Sequence, residues 1–285
     1  MTVKTFKLFS MAALALVMAA CSNDGELDLQ PAQQDKIPFT ATIAAPNSNA
    51  TTRTTYTESG DQINVTWKVG DKIALVHNKV KDVATVTAVD GSGNATITAT
   101  ITGSPNDGDD IVLVYPEDYV QAVTGVTNYT PAAHLNAQLL NQEGTLDYIQ
   151  KYLDLREGAG KLAVGGAGAS LKPSVKMNSK LAIWKLTLCE NGNYVDGINI
   201  VEVLVGEYPA AGARTETSFS GGVVYLGLIP SWMEPSWMET GDLTINAYLD
   251  NSTTCTHTHT YTKVGGVSFT AGKYYQSTVN MTRED

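Results

Sequence analysis

The sequence predicts an all-β fold made of two tandem antiparallel β-sandwich domains. Charged residues are only 17% of the 285 residues, while Thr, Val, Gly and Asn are plentiful, a composition typical of β-sheets. Short alternating or apolar segments recur along the chain with glycine-containing turns between them, as in sandwich domains. Because helical segments do not regularly separate these strands, a parallel β-α-β sheet is excluded.

The N-terminus predicts export and lipid anchoring. Two lysines precede an apolar stretch, Leu8–Ala20, which is too short to span a bilayer and is typical of a secretory signal. The four residues ending at Cys21, Met-Ala-Ala-Cys, resemble the lipobox of bacterial lipoproteins, in which the cysteine is acylated and becomes the N-terminus. An ordinary signal peptide with a chance cysteine is the alternative. We therefore predict a lipoprotein signal peptide at 1–21 and a polar, flexible tether at 22–36.

The first strand is predicted where Phe39, Ala41 and Ile43 alternate with threonines. This alternation places the three apolar residues on one face of a half-buried strand. A polar loop rich in turn-forming residues follows and contains Arg53 and Thr54. Arg53 is either an ordinary loop arginine or a site of proteolysis, since exposed polar loops are preferred sites of cleavage.

Strand patterns continue through both halves of the chain. They are predicted at Ile63–Trp67, Lys72–His77, Val83–Val89, Ala95–Ile101, Ile111–Tyr115, Val175–Leu188, Ile198–Val205, Ser218–Leu228, Leu243–Leu249, Thr254–Thr262 and Tyr274–Met281. In the strand that begins at Leu181, the predicted core face is formed by Ala182, Trp184, Leu186 and Leu188.

One helix and one boundary are predicted between the two halves. Leu146, Ile149 and Leu153 recur with helical spacing behind Thr145, which is a suitable N-cap. A glycine-rich stretch ending at residue 168 then predicts a linker. We accordingly expect an N-terminal sandwich domain at 37–168 and a C-terminal one at 169–285.

The candidate chemical motifs do not predict an enzyme or a cofactor. Gly160-Lys161 resembles part of a phosphate loop, but Leu162 stands where Ser or Thr must bind Mg²⁺. The net charge of −10 argues against nucleic acid as a partner. No His-Glu-x-x-His or Gly-x-Ser-x-Gly motif occurs.

The role of the cysteines and the histidines in the second half has two alternatives in each case. Cys189 and Cys255 form a disulfide or remain buried free thiols, since an exported protein permits either. Cys255, His257 and His259 alternate with threonines, so they lie on one strand face. That face is either solvated or part of a metal site completed from elsewhere, and we predict no metal.

A tandem repeat of Pro-Ser-Trp-Met-Glu places Trp232 and Trp237 in one proline-bounded loop. Two tryptophans in such a loop can form an aromatic contact surface for a glycan or a protein. Alternatively, the second copy only lengthens the loop.

The segment Trp67–Val76 contains a Trp, a Gly-Asp turn and an apolar strand, and it follows the loop with Arg53. This order resembles the fimbrillin family of Bacteroidales surface lipoproteins. The closing segment Phe269–Met281 is similar to the family's last-strand pattern, and Leu181–Leu186 is similar to the first core strand of its second domain. The resemblance covers nearly all of the mature chain.

The resemblance implies two transthyretin-like sandwiches and a subunit of type V pili. A lipoprotein precursor, bound to the outer membrane at the cell surface, is cut by an arginine-specific protease, here between Arg53 and Thr54. Loss of the first strand then opens a groove that a strand from another pilus subunit fills. Because the chain ends four residues after Met281, no separate donor strand is expected, which favours a tip or accessory subunit. The alternative is a stand-alone surface lipoprotein that binds a glycan or a protein.

Overall fold

The computed structural model describes residues 36–45, 56–120, 134–232, 241–249 and 259–284. The backbone alone is described for Thr57, Asn64, His134, Asn136 and Trp232. The described part of the chain is mostly β-structure, so the all-β prediction is confirmed. None of the described helices is both long and apolar enough to cross a bilayer.

The first half contains most of the helical residues and ten described strands. The strands are β1 (Ile37–Ile43), β2 (Thr57–Ser59), β3 (Gln62–Asn64), β4 (Lys72–His77), β5 (Val80–Val89), β6 (Ala95–Ile101), β7 (Asp110–Tyr115), β8 (Arg156–Gly165), β9 (Gly168–Leu171) and β10 (Asn178–Ser179). The helices are α1 (His134–Leu140) and α2 (Leu146–Tyr152), and a 3-10 turn lies at Glu117–Tyr119.

Seven of these strands form a sheet that closes on itself. The order is β8, β7, β4, β5, β6, β1 and β9, and β9 pairs with β8 again. Closure is possible because β8 is long: Arg156–Lys161 pair with β7, whereas Leu162–Gly165 pair with β9. The first half is therefore one closed sheet around its own apolar core, where the sequence predicts two separate sheets.

The glycine-rich stretch predicted as a linker is strand β8. A Cβ added to Gly158 or Gly160 would lie 2.6 or 2.5 Å from a methyl carbon of Val175. The glycines therefore let the segment that contains Val175 cross closely over β8, and they serve packing instead of flexibility. Since β9 and β10 still pair with β8, the first sheet ends at Ser179, beyond the predicted boundary at residue 168.

The second half is built from two sheets that share one apolar core. Its strands are β11 (Ala182–Glu190), β12 (Asn193–Tyr194), β13 (Ile200–Val205), β14 (Tyr208–Arg214), β15 (Val223–Leu228), β16 (Leu243–Tyr248), β17 (His259–Lys263), β18 (Tyr274–Asn280) and β19 (Thr282–Arg283), with 3-10 turns at Ser220–Gly222 and Pro230–Trp232. One sheet has β11 between β15 and β18, with β12 as a short extension. The other has the order β14, β13, β16, β17, β19.

Several predicted elements have the predicted form. Strands β4 and β6 begin and end at the predicted residues, and Ala182, Trp184 and Leu186 are buried. Helix α2 begins behind Thr145, whose hydroxyl accepts a hydrogen bond from the backbone N–H of Tyr148 at 3.1 Å. Helix α1 and strand β14 were not predicted from the sequence.

A third apolar cluster joins the two halves. It contains outward-facing residues of the closed sheet, such as Val114, together with Ile149 of α2 and Ile183 of β11. Ile63 of the hairpin β2–β3 and Tyr56, which immediately precedes the hairpin, belong to the same cluster. The described residues consequently fold as one compact unit.

Candidate functional site

Strand β1 lies between β6 and β9 in the closed sheet. On one side it pairs antiparallel with β6 over seven residues, from Ile37 opposite Ile101 to Ile43 opposite Ala95. On the other side it makes a short parallel contact with β9, where Phe39 is opposite Ala169. The ladder with β6 therefore provides most of its backbone pairing.

The buried face of β1 is the predicted one. Phe39, Ala41 and Ile43 are 1%, 6% and 0% exposed, while Thr40 and Thr42 face solvent. The three apolar side chains belong to the core of the closed sheet. The predicted half-buried strand is thus confirmed, although it begins earlier, at Ile37.

The backbone on either side of β1 makes close contacts with other segments of the chain. After the strand, the N–H of Ala44 donates to the carbonyl of Val175 at 2.9 Å, and the Trp67 indole N–H donates to the carbonyl of Ala44 at 3.3 Å. Near its start, a Cβ on Gly168 would lie 2.6 Å from the carbonyl oxygen of Pro38. Gly168 also has a φ of +138°, which favours glycine.

The other predicted site residues fall largely outside the described residues. This applies to Cys21, Arg53, Thr54, Trp237 and Cys255. The segment that carries Arg53 follows Ala45, just after β1, and precedes Tyr56, just before β2. The backbone of Trp232 ends a 3-10 turn.

Of the cysteines and histidines considered for a disulfide or a metal site, Cys189 and His259 are described, and both are buried. Cys189 is a buried free thiol. The His259 Nε2 lies 3.5 Å from a carboxylate oxygen of Glu190. His257 lies outside the described residues, among which no three metal-binding side chains come together.

A polar cluster at Glu58 was not found from the sequence. The Glu58 carboxylate accepts hydrogen bonds from Lys185 Nζ at 2.7 Å, from the Tyr225 hydroxyl at 2.6 Å and from the Tyr274 hydroxyl at 2.9 Å. Glu58 is on β2, whereas its partners are on β11, β15 and β18. The cluster therefore fixes the hairpin β2–β3 to a sheet of the second half.

The electrostatics of the Glu58 cluster favour its charged form. Burial acts most strongly and opposes ionisation, but the hydrogen bonds from Lys185, Tyr225 and Tyr274 and the Lys185 charge together lower the pKa of Glu58. The hydrogen bond to Glu58 raises the pKa of Lys185, and burial together with Glu58 raises the pKa of Tyr274. A charge-assisted contact of this kind is stronger than a neutral one.

Comparisons with known proteins give similarity only to solved structures. No protein-family model matches the chain, and no curated protein matches it. The chain is similar to a fimbrial protein from Bacteroides ovatus, at 14% identity and a TM-score of 0.39, over 86% of this chain and 49% of that one. It thus spans about half the length of that protein.

Two candidate cell adhesion proteins of Bacteroides are also similar. For the one from Bacteroides uniformis the identity is 14% and the TM-score 0.41, over 88% of this chain and 97% of that one. For the one from Bacteroides ovatus the identity is 12% and the TM-score 0.43, over 88% and 96%. Identities below 25% and TM-scores below 0.5 do not assign a function to this chain.

Proposed function

We propose that this chain is a fimbrillin-like subunit of a surface pilus, with a role in adhesion, and that it assembles by strand exchange. Cleavage removes β1, and a strand of another subunit takes its place. The observation that carries the proposal is the position of β1. It is one member of a closed sheet, it buries three side chains, and the segment with the predicted cleavage site comes after it in the sequence.

Removal of β1 would create a binding groove. Phe39 and Ile43 are almost completely buried, and each contributes roughly 1.5–3 kcal/mol of burial. Without β1, the apolar floor and the backbone N–H and C=O groups of β6 that now pair with it would be exposed. An unpaired edge beside an apolar groove is a template for an added strand.

A cut after Arg53 would join release and activation in one step. Cys21, the predicted lipid-bearing residue, and β1 both precede Arg53. The same cleavage would therefore detach the rest of the chain from the outer membrane and open the groove. Until then, β1 keeps the precursor closed at the cell surface.

The segment that follows the cut is held to the rest of the protein by contacts that do not involve β1. Tyr56 is buried, and its backbone N–H donates to the Gln150 side chain at 3.0 Å. Glu58 holds β2 to the second half through Lys185, Tyr225 and Tyr274. These contacts support retention of the hairpin β2–β3 after β1 is lost.

The last described strands favour a tip or accessory position. Strand β18 pairs with β11 over seven residues, and β19 pairs with β17. Val279 and Met281 are buried in the core of the second half. Because these strands complete the chain's own sheets, they are not available for donation to a neighbour.

Limited proteolysis of the precursor tests the proposed cut. A low dose of trypsin should produce a new N-terminus at Thr54, and Arg53→Ala should resist the cut and fail to assemble. Arg214→Ala is the control: Arg214 is an exposed arginine far from the predicted cut in sequence, and its replacement should leave cleavage and assembly unchanged. First cleavage elsewhere, with normal assembly of Arg53→Ala, would rule out this proposal.

Immunogold microscopy of intact cells tests the location. Label on filaments or at their tips is expected. Label on the membrane alone would favour the stand-alone lipoprotein, whose ligand binding should then require Trp232 and Trp237.

A further inference from the structure

From Phe39 to Ile43, strand β1 and the facing part of β6 have complementary side-chain sizes. The large residues of β1, Phe39 and Ile43, are opposite Ala99 and Ala95. The small residue between them, Ala41, is opposite Ile97. On the other side of β1, Phe39 is again opposite an alanine, Ala169.

This complementarity is a packing constraint. Residues directly opposite in an antiparallel pair have Cβ atoms about 4.5–5.5 Å apart on the same face. Ala95 and Ile97 are completely buried, and Ala99 packs against the same core. From Phe39 to Ile43, each opposed pair on this face therefore holds one large side chain, because cores at native density lose stability when a second one is forced in. Two large residues are opposite each other only at the start of the strand, where Ile37 is partly buried.

The constraint also fixes the register. A shift of one residue would turn the threonines of β1 into the core. A shift of two residues in one direction would set Phe39 opposite Ile97 and Ala41 opposite Ala95. The shift in the other direction would set Ile43 opposite Ile97. Either shift pairs large with large and small with small at the centre of the strand, whereas the observed register sets one large residue opposite one small residue at each position from Phe39 to Ile43 on this face.

We propose that the strand which replaces β1 carries a large apolar residue, a small one and a second large one at alternate positions and runs antiparallel to β6. Its large residues lie opposite Ala99 and Ala95, and its small residue lies opposite Ile97. The partner is thus a pilus subunit with such a segment. The inference rests on the proposed function, because it assumes that β1 is exchanged.

Peptide exchange on the cut chain tests this selectivity. The full mature chain receives a site for a sequence-specific protease in place of residues 51–55, and it is cut while β1 is still bound. The first peptide is Ile-Pro-Phe-Thr-Ala-Thr-Ile, the sequence of β1. The second is Ile-Pro-Ala-Thr-Phe-Thr-Ile, which has the same composition but exchanges the residues that lie opposite Ala99 and Ile97. Displacement of the β1 fragment is followed by mass spectrometry.

The β1 peptide should bind roughly 10- to 100-fold more tightly than the swapped peptide. In an Ile97→Ala/Ala99→Ile chain the preference should reverse, because the space opposite the swapped phenylalanine is then open. Circular dichroism checks that this variant folds. If the variant does not fold, the preference of the wild-type chain between the two peptides tests the size pattern alone.

The remaining outcomes separate the two hypotheses. Equal binding of both peptides would overturn the size pattern and leave strand exchange standing. Binding of neither peptide would overturn both.

Discussion

Replacing Phe39 with alanine in the uncut precursor measures how much β1 contributes to the closed sheet. The side chain is 1% exposed and lies in the core of the first half. Phenylalanine-to-alanine changes at such positions cost about 3–5 kcal/mol. The residues opposite Phe39 are Ala99 and Ala169, which are too small to fill the space, so a value in the upper part of that range is expected. This is a large share of the roughly 5–15 kcal/mol that stabilises a typical domain.

Urea unfolding followed by tryptophan fluorescence gives the change in unfolding free energy. Thr40→Ala is the matched control, because Thr40 is on the same strand and its side chain faces solvent. It should cost less than about 1 kcal/mol, within the range of strand propensities. If Phe39→Ala costs no more than Thr40→Ala, β1 does not support the core, and the groove has no energetic basis.

Three further variants test other parts of the molecule. Glu58→Gln should lower the unfolding free energy by about 1–2 kcal/mol at neutral pH, more than Asp110→Asn, which breaks an exposed ion pair. Because the folded-state pKa of Glu58 is lowered from 4.5, its stabilisation is present above that pH and is lost as the pH falls through the folded value, so wild type and Glu58→Gln should converge in acid. Gly158→Ala should cost about 1–3 kcal/mol in urea unfolding through its contact with Val175, whereas Gly165→Ala, with open space at the added Cβ, should stay within about 0.5 kcal/mol. Cys21→Ala should release the protein from membrane fractions, and retention of the variant through detergent phase partition would contradict lipid anchoring.

Local signals explain what the sequence could predict. The alternation at Phe39, Ala41 and Ile43 needs only neighbouring residues, because strand periodicity is a local property. The same holds for Thr145, whose capping bond to Tyr148 spans three residues. The buried face of β1 and the start of α2 therefore follow from short stretches of sequence.

Long-range packing explains what the sequence could not predict. The glycines of β8 indicate a linker when read alone, and only the crossing of Val175 shows why they occur in a strand. The contacts of Glu58 with Lys185 and Tyr274 span 127 and 216 residues, and no local pattern marks such pairs. Closure of the sheet likewise depends on the change of partner along β8.

In the second half, Gln142 links the edge strands of the two sheets. Because Gln142 follows Arg53 in the sequence, a cut at Arg53 would not remove this link. The backbone of Gln142 bonds to edge strand β14, through the carbonyl of Gly212 at 2.9 Å and the N–H of Arg214 at 2.7 Å. Its side chain bonds to the N–H and the carbonyl of Gly227 on β15, in the other sheet, at 2.7 and 2.9 Å. Gln142 is fully buried, so it joins the edges of both sheets much as β1 joins β6 to β9. Of β1 and Gln142, only β1 precedes Arg53 in the sequence. A cut there would therefore open the first half for an incoming strand and leave the second half closed.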